Sequence, residues 1–189
     1  MLHKAFTLIE LIFVIVIIGI LSVVAIPKFR HLTAHAKISA ELATMSSVAT
    51  ALDNANGEWA INEGSFTWGN NQPSSELNAN GYPDTLNTEN NVFGKVIKGN
   101  DSKYTKQYNA SSFSIFTGPA SNPENGANYS SNEPNHKPDK NDFWIYDFNK
   151  TKCTVSCPNC NQKTLHVGDF VLIDVNGSNP TNYSQIKCN

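Results

Sequence analysis

Residues 6–26 read FTLIELIFVIVIIGILSVVAI, an apolar run broken only by Thr7, Glu10, Gly19 and Ser22. About 20 such residues at a rise of roughly 1.5 Å each match a hydrocarbon layer ~30 Å thick. Inside lipid every backbone N–H and C=O has to be bonded within the segment. A helix is therefore expected in spite of the many β-branched side chains, and the run is too long for a core strand. A secretory signal peptide ends at small residues in an A-x-A-like pattern, whereas this run ends Ala25-Ile26-Pro27-Lys28-Phe29-Arg30, so the apolar segment is expected to be retained. The remainder of the 189 residues is a different material, because the apolar residues are concentrated before Pro27. A slightly negative mean hydropathy excludes a chain with several spans. A formal charge of −2 excludes a strongly basic nucleic-acid binder. Lys4 precedes the span while Lys28 and Arg30 follow it, so charge counting leaves the orientation open.

Glu10 is the informative residue of the span. A carboxylate in hydrocarbon costs about 2–3 kcal/mol or more, and such residues either snorkel to the interface or have a partner. A partner has to be a cation at the same depth. An α-amino group at Phe6, created by cleavage after Ala5, would supply one.

The order Lys4-Ala5-Phe6-Thr7-Leu8-Ile9-Glu10-Leu11, continued through Gly19 to Pro27, resembles the prepilin signature of type IV pilins and of the pseudopilins of type II secretion systems. Ala5 stands where that family usually has glycine. The resemblance implies that a membrane peptidase removes residues 1–5 on the cytoplasmic side, cutting between Ala5 and Phe6, and that Phe6 is then N-methylated. It also implies a single-pass protein of the bacterial inner membrane with its head in the periplasm, which later enters a pilus or pseudopilus. Glu10 would then neutralise the Phe6 amine of a neighbouring copy and set the register of a filament. Gly19 and Pro27 are expected to weaken or kink the helix, Pro27 because it has no N–H and its ring crowds the carbonyl of Val23.

Beyond the span, residues 28–57 read as an amphipathic helix. Ile38, Leu42, Met45, Ala49 and Leu52 form an apolar stripe, Lys37, Glu41, Ser47 and Asp53 face elsewhere, and residues 53–57 supply a stop. The two parts make one helix of some 50 residues, about 75 Å long. The rest, residues 58–189, reads as a globular head. Residues 58–140 are rich in Asn, Ser, Gly and Pro, with turns at Asn80-Gly81, Tyr82-Pro83, Gly118-Pro119 and Asn125-Gly126 and a short strand at 112–117. The strongest strands are 143–148 and 169–175, aromatic and β-branched. The expected fold is α+β, a long helix packed on a small antiparallel sheet, as in type IV pilins.

Cys153, Cys157, Cys160 and Cys188 give an even count. In the oxidising compartment that the resemblance implies, two disulfides are the expected state, with three possible connectivities. A bridge from Cys188 to the other three would pin the carboxy terminus, as in many pilins. Cys157-Pro158-Asn159-Cys160 with Cys153, Cys188 or His166 also admits zinc or a thiol-exchange pair, although the paired knuckles of a zinc ribbon are lacking. Calcium is a further candidate near Asp174 and Asn176, as in major pseudopilins, but no bidentate Glu follows at the EF-hand distance. Asn149 and Asn176 fit an extended bacterial glycosylation sequon, D-x-N-x-S/T. His31 and His35 stand four apart without a third ligand.

No G-x-S-x-G, H-E-x-x-H or P-loop is present, so the chain is read as a structural subunit and not an enzyme. Its expected partners are copies of itself, other pilins or pseudopilins, the prepilin peptidase and an inner-membrane assembly platform. Two other readings stay open: a minor tip subunit binding DNA or a secreted substrate through the aromatic, Asn-rich head, and a membrane-tethered thiol or zinc module. The second leaves Glu10 and the short leader without a role.

Overall fold

The computed structural model describes residues 7–62, 64–99, 102–127, 137–149, 152–155, 160, 162–175 and 183. Among the described residues, one α-helix, α1 (Leu8–Ile61), carries 54 residues and is followed by a single 3-10 turn at Ser74–Glu76 and eight short strands. The strands are β1 (Thr67–Trp68), β2 (Gln72–Pro73), β3 (Thr105–Asn109), β4 (Phe113–Thr117), β5 (Phe143–Asp147), β6 (Cys153–Val155), β7 (Lys163–Leu165) and β8 (Phe170–Ile173). The architecture is α+β, and the strands at 112–117, 143–148 and 169–175 are found within a residue or a few of their expected bounds.

Helix α1 stays helical through Gly19 and Pro27, although Pro27 offers no N–H to the carbonyl of Val23. Five of its hydroxyls bond back to carbonyls within the helix. Ser22 Oγ donates to the Ile18 carbonyl at 2.7 Å and Thr33 Oγ1 to that of Phe29 at 2.9 Å, and the hydroxyls of Thr44, Ser47 and Thr50 repeat the pattern. Within the span this leaves the Ser22 hydroxyl no unmet donor to expose to lipid. The expected stop at residues 53–57 is overturned, because the helix runs four residues past Gly57. Asn62 closes it by donating its backbone N–H and its side-chain amide to the Glu58 carbonyl at 3.0 and 2.9 Å. The local signal lost to packing, since the added turn carries Trp59 onto the Asn80-Gly81 turn.

The main sheet has the order β3-β4-β5-β8, antiparallel throughout, with Ile115 opposite Ile145 and Ile145 opposite Val171. Its alternating side chains fill two separate layers, as a period of two requires. Phe116, Trp144, Tyr146 and Phe170 meet Met45, Val48, Leu52 and Ala55 of α1, together with Phe93 and Leu86 of the loop region. Phe113, Ile115, Phe143, Ile145 and Ile173 face the other way, onto Cys153, Val155 and Leu165 of the β6–β7 hairpin. The head is therefore a three-layer stack of helix, sheet and hairpin, with both sheet faces covered. Trp144 and Phe170 lie nearly parallel with ring centres 5.7 Å apart. Each large side chain buried in these layers contributes about 1.5–3 kcal/mol.

The observed stripe differs from the expected one by a rotation. The buried helix positions are Ile38, Glu41, Met45, Val48, Leu52 and Ala55, spaced three and four apart, while Leu42 is exposed and Ala49 only half-buried. Glu41, expected on the outer face, is fully buried.

Asp142 ties the start of β5 to the chain end of β8. Its Oδ1 accepts from the Val175 N–H at 2.9 Å and its Oδ2 from the Asp139 N–H at 3.0 Å. Burial pushes this carboxyl up to about 7; the two N–H donors oppose the rise, and the charges of Asp139 and Asp174 add to it. Burial, with the charge of Asp174, also raises Asp139. A carboxyl raised on folding holds a proton that the unfolded chain releases near pH 4, so its contribution is complete below that point and is lost as pH rises through about 7. The melting temperature is accordingly expected to fall between pH 5 and pH 8, by several degrees on this account. Asp142→Asn should flatten that slope in a thermal melt followed by near-ultraviolet dichroism.

Candidate assembly helix and its anchorage in the head

The stretch Leu8–Ile26 is 19 residues long, with none of its most apolar window covered by the rest of the chain. At about 1.5 Å per residue it spans ~28 Å, close to the thickness of a hydrocarbon layer. Leu8 and Ile9 are each 76% exposed, and the apolar residues around the whole circumference share this exposure. A helix apolar on every side is stable only in lipid or among other helices.

Thr7 begins α1 as a reciprocal cap. Its Oγ1 accepts from the Glu10 N–H at 3.3 Å, while Glu10 Oε2 accepts from the Thr7 N–H at 3.3 Å and from the Thr7 hydroxyl at 3.1 Å. The sequence Thr-x-x-Glu is the usual signature of this arrangement. In the single subunit the Glu10 carboxylate is thus held by its own helix terminus, where its charge also complements the helix dipole. Ala5 and Phe6, the expected cleavage and methylation positions, lie outside the described residues.

Past the span, the helix enters the head at residues 34–41. Ala34 and Ile38 pack on Ala120 and Ala127, and Lys37 Nζ donates to the Asn125 carbonyl. One turn further, Glu41 accepts four hydrogen bonds: from the N–H groups of Ala120 (2.6 Å) and Ser121 (3.1 Å), the Ser121 hydroxyl (2.6 Å) and the Trp144 indole (2.7 Å). All four partners donate, which suits an acceptor-only carboxylate. The strand-to-loop turn after β4 is shaped around it. Gly118 approaches so closely that a Cβ there would lie 2.5 Å from Glu41 Oε2, and the Gly118 N–H donates to Ser121 Oγ at 2.8 Å. Sequence reasoning missed this anchor. The signal was present, because Glu41 stands three residues after Ile38 and four before Met45, on the face that both define.

The remaining candidate residues are scattered. Cys153 and Cys160 are both in disulfide bonds, Cys153 fully buried beneath the sheet; Cys157 and Cys188 lie outside the described residues. Asn149 is exposed just beyond β5, with its N–H on Asp147 Oδ1 at 3.2 Å, and Asn176 lies outside the described residues. His35 is exposed. Asp174 is half-buried beside Asp142, and among the described residues no three His, Cys, Asp or Glu side chains are gathered as a metal site would require.

Residues 1–26 match the family model of the prokaryotic N-terminal methylation motif. Two curated relatives, both named "Fimbrial protein" and both from Pseudomonas aeruginosa, are each 42% identical to the chain over 53 residues. That alignment covers 28% of this chain and 34% of each relative, about a third of their length. No solved structure matches the chain.

Proposed function

Because the amino-terminal segment carries the signature of the type IV pilin family, we propose that the chain is a structural, non-enzymatic subunit that polymerises through α1 into a type IV pilus or a secretion pseudopilus. The observation that carries this reading is the capped, uncovered apolar helix Leu8–Ile26, which lies within the matched methylation motif at residues 1–26. Before assembly the helix anchors the subunit in the inner membrane with the head in the periplasm, and afterwards the same apolar surface packs against other copies or other pilins. The peptidase cuts between Ala5 and Phe6 and methylates Phe6, and the assembly platform draws the subunit from the membrane. Gly19 and Pro27 are the points at which the helix can yield within the fibre.

The head needs no cofactor for this role. Cys153 and Cys160 act as staples beneath the sheet; a sulfur in a disulfide offers no thiolate to zinc.

Mass spectrometry of the protein purified from its membrane tests the processing step. The expected amino terminus is Phe6 bearing one methyl group, and a product that starts at Met1 or at any other residue would overturn the assignment. Electron microscopy of sheared cells then separates the two assemblies. Long external fibres are expected for a pilus, and a secretion defect without fibres for a pseudopilus.

A further inference from the structure

The unforeseen last turn of α1 places an aromatic ring where a buried one would have been cheaper. Of the three tryptophans, Trp68 and Trp144 are buried, with their indole N–H groups on Pro73 O and Glu41 Oε1, whereas Trp59 is 41% exposed. The ring of Trp59 is nonetheless held in place. One side lies against Gly81, whose φ of +78° and missing side chain make room; a Cβ there would come within 2.7 Å of the indole Cε3. The Gly81 turn is itself pinned. Asn78 Oδ1 accepts from the N–H groups of Asn80 (2.9 Å) and Tyr82 (3.2 Å), and Asn56 Nδ2 donates to the Asn80 carbonyl at 2.8 Å.

Beside the ring is an open cleft of about 380 Å³, lined by Trp59, Asn62, Gly64, Phe66, Ser74 and Ser75. Among the described residues, none of the lining side chains is ionisable, and the nearest charge bonded to them is the carboxylate of Glu58, 2.7 Å from the Asn62 amide. Asn62 spends its amide N–H groups on the Glu58 carbonyl (2.9 Å) and Glu58 Oε2 (2.7 Å), which leaves its exposed side chain a carbonyl that can accept. Ser75 is exposed and carries a hydroxyl that can donate or accept.

We propose that this cleft binds a neutral saccharide, one pyranose ring lying on the free part of the Trp59 indole with its hydroxyls on Asn62 and Ser75. Each feature favours that class. The C–H-rich face of a pyranose is apolar and fits an aromatic surface, while its rim of hydroxyls needs neutral donors and acceptors. A nucleotide or an acidic sugar would need a cation, which the described lining does not offer beside the Glu58 carboxylate, and a purely apolar ligand would strand the Asn62 carbonyl and the Ser75 hydroxyl. The volume suits one or two rings. Binding at this end of α1 does not depend on polymerisation, so it stands or falls separately from the filament reading.

The test uses the full chain in a detergent without a sugar headgroup, and saturation-transfer NMR with methyl β-D-glucopyranoside, methyl β-D-galactopyranoside and N-acetyl-D-glucosamine at millimolar concentration. Transfer to the ring C–H protons of at least one sugar is expected. Trp59→Ala should weaken binding by roughly tenfold or more, and Trp59→Phe should retain part of it. Near-ultraviolet dichroism of both variants checks that the head is intact. No transfer to any of the three sugars, or transfer undiminished in Trp59→Ala, would overturn the proposal. So would sugars that fail to bind while Trp59→Ala lowers the self-association of the chain, which would assign the ring to a contact between copies.

Discussion

Glu41→Ala is expected to destabilise the head by about 3–5 kcal/mol, because each buried donor left without an acceptor costs about 1–3 kcal/mol and a cavity adds to the loss. The substitution deletes an acceptor and leaves its donors. The N–H groups of Ala120 and Ser121, the Ser121 hydroxyl and the Trp144 indole would all lose their bonds in a site that water does not reach. It also opens a cavity beside Gly118, whose backbone is packed against the Glu41 side chain. Glu41→Gln keeps the volume but turns one oxygen into an N–H₂ group among donors, so it should recover only part of the loss. Urea unfolding of the full chain in detergent, followed by near-ultraviolet dichroism, measures both variants. Wild-type stability in Glu41→Ala would show that the four bonds add nothing to what water supplies in the unfolded state.

The second large effect is expected at the other end of the helix. On the proposed filament reading, Glu10→Ala should insert in the membrane and lose its leader normally, yet yield no fibres. The variant loses the reciprocal cap with Thr7, a cost of about 1 kcal/mol that a membrane helix with its full backbone ladder can bear. Assembly is the harder step. If the Glu10 carboxylate leaves its cap to neutralise the Phe6 amine of a neighbour, its removal strands a cation in an apolar core at every contact along the polymer. Fibre yield from sheared cells, set against the amino-terminal mass of the membrane pool, separates failure to assemble from failure to process. Normal fibres from correctly processed Glu10→Ala would remove the electrostatic register from the mechanism.

The parts of this fold that were legible in the sequence are those where one force dominates. The span reads directly from its apolar run, and β4, β5 and β8 from their aromatic and β-branched content. Where packing competes with local preference the reading failed. The Asp-Asn-Ala-Asn-Gly stretch has the composition of a helix stop, but burying Ala55 and seating Trp59 on the Gly81 turn carries α1 on to Ile61. Thr105–Asn109 is too polar to announce a strand and is recruited by pairing with β4. The hairpin β6–β7 was hidden behind the chemistry of its cysteines; its strands are three residues each and gain their place by covering the second face of the sheet. Glu41 was set aside because a charge on a helix is ordinarily solvated. Its partners come from residues 79 to 103 positions further along the chain, which no local pattern can reveal.

The grip on α1 at Lys37 and Glu41 sits at the mouth of the head, immediately beyond the bare part of the rod. Mechanically the helix is a cantilever clamped at its root. A sideways displacement of the amino-terminal end acts through an arm of some 30 residues, roughly 45 Å, and its torque arrives first at this clamp. Apolar layers such as Met45 against its aromatic neighbours can shear with little change in energy, whereas short, directional bonds to a carboxylate resist swivelling. Load entering along the rod therefore turns the head as a rigid unit instead of peeling it from the helix.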